Sequence, residues 1–456
     1  MLPGMSELTM ILGVAGRPVL HSMSPAIFGE LFRADGLKTE GPDAEAAYVR
    51  VAARSAKEAL SVFRALRMRG MNLTSPFKEE AALLADELEP DARALGAVNC
   101  LKPLEGGRVL GANTDPRGAL SGIVRLGLDL AGKDCLVVGA GGAGKSAARA
   151  LVSVGARVVV ANRTLARAEE VAARLGCSAA GLEDLPRLAR GAAVIVSALA
   201  SDGLPDPDSW LPRGAGPDSP VVVDADYKTA RLASASRSRG LTAIDGKEWL
   251  IGQALPAYEL FTGRPAPRLE PDAMAAAFER SRLPASRRKI ALVGLMGSGK
   301  TTAGKALARL SGLPFVDVDR EIEAEAGMAI SSIFEREGES GFRERETRML
   351  DRITSDSGGA VVSTGGGAPT IPASAAILTE RCLCAWLFVS PARAAARAEA
   401  VTRPLLAGKD PEATLAALEE SRRGAYAACA HLIVSSDERD SREVAEVIHE
   451  EIDRVS

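Results

Sequence analysis

The sequence predicts an α/β protein built on more than one parallel sheet. Three observations carry that expectation. Short apolar runs alternate with stretches of helical period from residue 8 to the end. Two glycine-rich turns, GAGGAG at 139–144 and GLMGSGKT at 294–301, each follow a strand-like run and open a helix-like one. The 456 residues exceed one ordinary core, so two or three domains are expected.

Composition excludes several classes. Charged residues make up 25% and hydrophobic ones 46%, the profile of a soluble globular protein. A net charge of −3 carries no nucleic-acid footprint, and the basic cluster at 287–289 reads as a solvated linker. No apolar run is long enough to span a bilayer, and residues 1–10 lack the basic-then-apolar layout of a signal peptide. The expected location is cytoplasmic, with no membrane or nucleic-acid partner. The 6 cysteines form no CxxC pair and read as free thiols in a reducing compartment. The 3 histidines have no ligand spacing, so no structural zinc is expected. Oligomeric state leaves no trace in the sequence.

In residues 8–118, strands are expected at 10–14, 48–51, 71–73, 97–101 and 108–110, with helices such as 55–68 and 78–87 between them. Three polar clusters interrupt this layer. GRPVLHSMSP places Ser22 and Ser24 before a helix that begins near Pro25. Hydroxyls there suit a carboxylate, or Ser24 simply caps the helix. GMNLTSPFK gathers Asn72, Thr74 and Lys78 around a proline turn, with a first-turn helix lysine as the plainer reading. GANTDPRG sets Asn113, Thr114 and Asp115 between a strand and a helix, where Asp115 is a binding group or a cap.

Residues 133–245 form a second α/β unit. A strand at 134–138, the glycine turn, a helix at 145–154 and a strand at 156–161 make the context of a dinucleotide-binding Rossmann fold. Gly139, Gly141 and Gly144 stand at GxGxxG spacing, with Gly142 and Ala143 between them. The same run, GAGGAGKS, also fits a P-loop. The glycine spacing and the Asn162–Arg163–Thr164 end of the next strand favour the dinucleotide. Where an acidic residue would hold a ribose hydroxyl, this chain has Arg163, with Arg167 one turn on. A cation there suits a 2′-phosphate, hence NADP(H). Strands at 193–197, 221–224 and 241–244 follow, then a helix over 244–263 carrying Gln253 and a last helix over 271–282.

From 289 onward the chain again reads strand–helix, with strands at 290–293, 315–318, 361–364, 384–389 and 432–434. GLMGSGKT is a phosphate cradle. Gly297, Ser298 and Gly299 bring backbone amides onto phosphate, Lys300 reaches the β- and γ-phosphates, and Thr301, followed by Thr302, offers a hydroxyl to Mg²⁺. Asp317 and Asp319 are expected to end the second strand and point one way, holding Mg²⁺ and an acceptor hydroxyl; turn-initiating aspartates are the alternative. FRERE puts Arg343 and Glu346 on one helix face, as a site arginine or a surface ion pair. Ser363 precedes Thr364 and the three glycines Gly365, Gly366 and Gly367, which let a ligand approach closely. Arg397, Arg403 and Arg422 add cations suited to phosphoryl transfer.

With GRPVLHSMSP, GMNLTSPFK, GAVNC, GANTDPRG, GAGGAG, NRT and the Gln253 helix in order, residues 8–282 resemble the shikimate dehydrogenase family. The resemblance implies NADPH-dependent reduction of 3-dehydroshikimate to shikimate. It implies that Ser22 and Ser24 hold the substrate carboxylate, and that Asn72, Thr74, Asn99, Asp115 and Gln253 hold ring hydroxyls. Lys78 and Asp115 match the catalytic residues, and Tyr227 stands at the family's tyrosine. The sequence departs from the family at Cys100, at Phe28–Gly29, at VSALA (196–200) and in the shortened DADYKTA run (224–230).

Residues 289–456 resemble the shikimate kinase family through GLMGSGKT, DVD, FRERE, GGG, RPLL and the Arg422–Tyr426 spacing. This implies an adenylate-kinase-like P-loop fold using ATP and Mg²⁺. Asp319, Arg343, Gly366, Gly367 and Arg422 then hold shikimate. Lys300 and Arg403 face the transferring phosphate, and Thr301, Asp317 and Ser363 lie on the Mg²⁺ side. Arg397 packs on the adenine. The expected organisation is a substrate domain (1–118 and 246–282), a Rossmann NADP domain (119–245), a linker (283–288) and a kinase domain (289–456). The alternative is a quinate/shikimate dehydrogenase fused to a kinase-like, nucleotide-binding regulatory domain. Arg163 and the filled catalytic positions in both halves argue against it.

Overall fold

A computed structural model describes residues 9–199, 203–214, 216, 219–281, 289–398 and 410–454. They fall into two compact units, one of Met1–Glu80 with Pro267–Ser456 and one of Ala81–Ala266. The first unit opens with strands β1 (Met10–Gly16), β2 (Ala46–Ala52) and β3 (Gly70–Leu73). The second holds β4 (Glu87–Leu88), β5 (Cys100–Pro103), β6 (Val109–Ala112), β7 (Asp134–Val138), β8 (Arg157–Ala161) and β9 (Ser178–Ala180). It ends with β10 (Val194–Ser197), β11 (Val221–Asp224) and β12 (Ala243–Ile244). The chain then returns to the first unit with β13 (Lys289–Val293), β14 (Phe315–Asp317), β15 (Ala360–Ser363), β16 (Cys382–Phe388) and β17 (Leu432–Ser435).

In the first unit the strands lie parallel in the order β14-β15-β13-β16-β17-β2-β1-β3. β13, β16 and β17 are buried along their whole length, which is why IALV, CLCAWLF and LIVS read as continuous apolar runs rather than alternating ones. The two sequence segments of this unit share one sheet. Ile433 and Val434 of β17 pair with Val51 and Ala52 of β2. They also share a core, in which Val14, Val19, Leu20 and Ala52 cluster with Leu292, Leu387, Val434 and Ile448. The segment 283–288 lies outside the described residues.

The second unit carries a parallel six-stranded sheet, β12-β11-β10-β7-β8-β9. Apolar clusters cover both faces, one around Val137 and Leu151 and one around Val138 and Leu232. Beside it, β5 runs antiparallel and β4 parallel to β6. Helix Gly246–Thr262 is capped by Asp245, whose carboxylate accepts the amides of Lys247 and Glu248. It lies close against helix Asp115–Arg125, because a Cβ on Gly118 would come within 2.7 Å of Trp249 and one on Gly252 within 2.2 Å of Ser121. That close approach sets Gln253 over the start of the Asp115 helix. Among the described residues, no helix is long and apolar enough to cross a membrane.

Two local expectations shift. The strand expected at 97–101 starts at Cys100, because Gly96 ends the preceding helix in a left-handed conformation. Asp319 does not end a strand. β14 stops at Asp317 and a helix, Val318–Ala326, begins at once, so Asp319 sits in its first turn.

Candidate active sites

In the first unit, Ser22 and Ser24 form a hydroxyl pair at the start of helix Ser24–Ala34. Their oxygens are 3.3 Å apart, and the Ser24 amide faces the Ser22 hydroxyl at 3.3 Å. Met23, not Ser24, occupies the cap position, and no side chain caps this helix. Ser24 capping is therefore not realised. Arg50, buried within β2, donates through Nε and Nη2 to the Ser22 carbonyl at 3.2 and 2.8 Å. Burial draws its pKa down to about 10, while the charge of Glu451 works the other way. Tyr48, stacked on Phe28, donates to the Asn72 side-chain oxygen at 2.7 Å and so orients that amide. The Thr74 amide donates to the Ala15 carbonyl, and Lys78 opens helix Lys78–Leu84, half-buried. Sequence reasoning missed Arg50 and Tyr48. The signal for Arg50 was an arginine inside the otherwise apolar run AAYVRVA.

In the second unit, Asn99 is the hub. Its Nδ2 donates to Asp115 Oδ1 at 2.8 Å, to Thr114 Oγ1 at 3.1 Å and, more weakly, toward Gln253 Oε1 at 3.4 Å. Its Oδ1 accepts the Thr114 amide at 2.9 Å. Asn113 fixes the turn by accepting the Asp115 amide and donating to the Ala97 carbonyl. Asp115 is not a cap; it is buried, and Thr114 holds the cap position without a side-chain bond. Cys100, a departure from the family pattern, lies 3.6 Å from the Thr114 hydroxyl. In the shortened run, Asp224 accepts the amides of Asp226 and Ala233. Tyr227 is half-buried, and burial raises its pKa.

The two glycine turns separate by where the helix begins. After β7, helix Gly142–Ser153 starts at Gly142, inside the glycine run. Gly139 takes φ +110°, and a Cβ on Gly144 would lie 1.9 Å from the Gly139 carbonyl oxygen, so only glycine fits. Gly141 and Gly142 face open space, and no side chain caps this helix. A helix start left without a side-chain cap suits an anion. Ser146 is buried with its hydroxyl bonded to the Gly142 carbonyl, so it is not disposed to ligate Mg²⁺. Asn162 ties the turn to the end of β8, accepting the Ala140 amide and donating to the Thr164 carbonyl. Arg163, Thr164 and Arg167 are exposed there.

After β13, by contrast, helix Lys300–Ser311 starts only at Lys300, with Gly297 and Gly299 left-handed before it. Lys300 Nζ donates to the Gly294 and Leu295 carbonyls at 2.7 and 2.9 Å, curled over the loop. Thr301 donates to Asp317 Oδ2 at 2.9 Å. Ser363 pairs in register with Asp317 across β14 and β15. The Thr301 hydroxyl and the Asp317 carboxylate thus meet at the helix start, oxygen donors of the kind that suit Mg²⁺. Thr302 is exposed on the next helical position. Ser298 is buried, and its hydroxyl has no hydrogen-bond partner among the described residues.

Beside the loop lies a charged wall. Arg343 Nη1 donates to Glu346 Oε2 at 2.7 Å, with side chains 15% and 0% exposed, so this is not a surface ion pair. Burial opposes the arginine's charge, but Glu346 and Glu339 together outweigh it and raise the Arg343 pKa. Glu346 is the more deeply buried partner, and burial pushes its carboxyl up against the pull of Arg343. Burial, and next the Asp317 charge, push Asp319 up as well. Asp319 Oδ1 has no hydrogen-bond partner among the described residues. The glycines fit between these groups. A Cβ on Gly365 would lie 2.3 Å from Glu346 Oε1, and one on Gly367 would lie 2.3 Å from Arg343 Nη2. Arg422 and Tyr426 both donate to the Gly366 carbonyl, at 3.1 and 2.6 Å. Arg397 bonds to the Gly297 carbonyl and to Ser436, lining a cavity of about 390 Å³ with Ser298 and Asp437. Arg403 lies outside the described residues.

A glycine turn with a free helix start on a six-stranded parallel sheet, and a P-loop with an adjoining arginine–carboxylate wall, define a dinucleotide-dependent dehydrogenase joined to a phosphotransferase. Comparison with known proteins narrows both. Residues 14–101 match the shikimate dehydrogenase substrate binding domain, 123–216 the shikimate/quinate 5-dehydrogenase family and 296–453 shikimate kinase. A shikimate dehydrogenase (NADP(+)) of Halobacterium salinarum is 39% identical over 260 residues, covering 56% of this chain and 95% of that protein. One from Rubrobacter xylanophilus is 36% identical over 280 residues, covering 58% and 94%. The crystal structure of a Thermus thermophilus shikimate 5-dehydrogenase, in complex with NADP(H) and shikimate, shares 31% identity at a TM-score of 0.51, covering 60% of this chain and 100% of that one. The chain belongs to the shikimate dehydrogenase family and carries a shikimate kinase domain after it. It is a bifunctional enzyme of the shikimate pathway.

Proposed function

We propose that the chain reduces 3-dehydroshikimate with NADPH and then phosphorylates the 3-hydroxyl of shikimate with ATP, each step using the residues named above. In the reduction, bound NADPH supplies a hydride to the carbonyl carbon. The oxygen left behind needs a proton, and Lys78 gives it. Asn72 and Thr74 take ring hydroxyls, with Asn72 oriented by Tyr48. Asp115, Asn99 and Gln253 form a hydrogen-bonded polar set for the others, with the Asn99 amide donating to both partners. Ser22 and Ser24 hold the carboxylate, whose charge the uncapped helix start favours. Gly139–Gly144 take the pyrophosphate, and Arg163 with Arg167 the 2′-phosphate.

In the phosphorylation, Arg343 and Arg422 hold the shikimate carboxylate, and Asp319 accepts the proton side of the attacking hydroxyl. Lys300 and Arg403 neutralise the transferring phosphoryl group. Thr301, Asp317 and Ser363 would hold Mg²⁺, which would supply positive charge against the charge that develops on the transferring phosphoryl group. The observation that carries this reading is the buried Asp319 Oδ1, an acceptor with no hydrogen-bond partner among the described residues, beside Arg343. A buried polar group left so is costly unless a ligand completes it. The 6 free cysteines, 5 of them buried, fit a reducing cytoplasm, and the partners are small molecules rather than nucleic acid or membrane.

Two assays on the intact chain test the reading. Loss of reduced-nicotinamide absorbance should depend on 3-dehydroshikimate, and ADP release should depend on shikimate. Quinate as the preferred substrate, or ATP binding without turnover, would overturn it.

A further inference from the structure

The loop carrying Ser22 and Ser24 is held from two sides. From β2, the Arg50 guanidinium grips the Ser22 carbonyl. From the other side comes the last helix of the chain, Ser441–Asp453. Its Glu451 is 3% exposed, and one carboxylate oxygen accepts the backbone amides of both Val19 and Leu20, each at 2.8 Å. Val19 and Leu20 are themselves buried in the core that Ile448 and Val444 of the same helix help to form. Burial pushes the Glu451 carboxyl up, and the two amides pull it back. The same helix touches the helix that follows the P-loop, where the Ser311 hydroxyl and His449 Nδ1 stand 3.5 Å apart. Around it, Arg439 pairs with Glu58 at 2.8 Å, and β17 pairs with β2.

We infer that Glu451, a residue of the kinase segment, is a positioning residue for the dehydrogenase. By fixing the Val19 and Leu20 amides it sets where the Ser22 and Ser24 hydroxyls meet the substrate carboxylate. A buried carboxylate is costly to keep, and here its hydrogen bonds to the protein go to a loop of the other activity. Removing it leaves two buried amides unpaired and frees the loop to shift, which acts first on the substrate's carboxylate end. The nicotinamide chemistry and the phosphate loops are not touched directly. This inference rests on Ser22 and Ser24 holding the substrate carboxylate.

Three full-length variants test it: Glu451→Gln, which keeps the reach and an acceptor oxygen; Glu451→Asp, which keeps the charge but loses the reach; and Glu451→Ala. Positioning predicts a near-normal KM for 3-dehydroshikimate in Glu451→Gln. It predicts a KM raised about tenfold in Glu451→Asp and more in Glu451→Ala, as for loss of roughly one charge-assisted hydrogen bond. The KM for NADPH and the kinase constants for shikimate and ATP should stay within twofold of the parent. Unchanged 3-dehydroshikimate KM in both Glu451→Asp and Glu451→Ala would overturn the inference. So would parallel losses in NADPH binding and kinase turnover, which mark general damage. If Glu451→Ala does not fold, Glu451→Asp against Glu451→Gln still decides. Failure of the parent enzyme to reduce 3-dehydroshikimate would instead overturn the proposed function itself.

Discussion

The two glycines Gly141 and Gly144 should fail differently when changed to alanine. At Gly144 the added Cβ would sit 1.9 Å from the Gly139 carbonyl oxygen, more than 1 Å short of the 3.0 Å that real contacts respect. The helix must move off the turn, an overpacking strain of about 1–3 kcal/mol. At about 2–4 °C per kcal/mol for a unit of this size, thermal unfolding should come roughly 2–12 °C earlier. NADPH binding should weaken too, since the amides that face phosphate move with the helix. At Gly141 nothing lies within 4 Å of the new Cβ, and the backbone (φ −78°, ψ −173°) suits any residue. Stability should therefore be unchanged. If the pyrophosphate rests on this turn, the methyl meets the ligand instead. Loss of about one charge-assisted hydrogen bond, 1.5–3 kcal/mol, then weakens NADPH roughly tenfold to a hundredfold or slightly more. Differential scanning fluorimetry with and without NADPH, beside cofactor titration, separates the two effects. Equal NADPH affinity in Gly141→Ala and the parent would refute the placement of phosphate on this turn.

Other outcomes follow from the same sites. Arg163→Ala should raise the KM for NADPH about tenfold, the lower end for a charge-assisted bond because Arg163 is exposed, and leave NADH nearly unchanged; equal losses with both cofactors would point to folding damage. Lys78→Ala should cut dehydrogenase kcat about 10²–10⁴-fold with little change in substrate affinity, and near-parental kcat would remove Lys78 as the proton donor. Burial is the main cause that raises the Asp319 carboxyl above its ordinary 3.8, so the acid limb of the kinase rate should lie above that pH; a limb at or below it would contradict an ionised Asp319 as acceptor.

Much of this was legible in the sequence because its causes are local. Continuous apolar runs gave the central strands, and the glycine turns gave the two strand-to-helix junctions at which phosphate is proposed to bind. The ambiguity of GAGGAGKS resolves on where the helix begins, at Gly142 rather than at the lysine. Asp319 is expected at the end of the second strand, pointing the same way as Asp317, yet the helix begins one residue before it. What stayed hidden acts through the backbone or over long sequence separations. Arg50 and Glu451 grip main-chain groups of the serine loop; the arginine inside AAYVRVA is visible in the sequence, but main-chain recognition leaves no motif for its partner. The pairing of β17 with β2 joins residues some 380 positions apart through amides and carbonyls that every sequence has. The burial of the Arg343–Glu346 pair was equally hidden, since i,i+3 spacing on a helix looks the same on a surface.

The most direct measurement is to give the intact chain 3-dehydroshikimate, NADPH, ATP and Mg²⁺ together and follow the products by mass spectrometry, beside the Lys300→Ala variant. The parent should convert 3-dehydroshikimate through shikimate to shikimate 3-phosphate. Lys300→Ala should stop at shikimate, because Lys300 belongs to the phosphate loop and not to the reduction. Absence of shikimate 3-phosphate from the parent, or its formation by Lys300→Ala at the parental rate, would contradict the account.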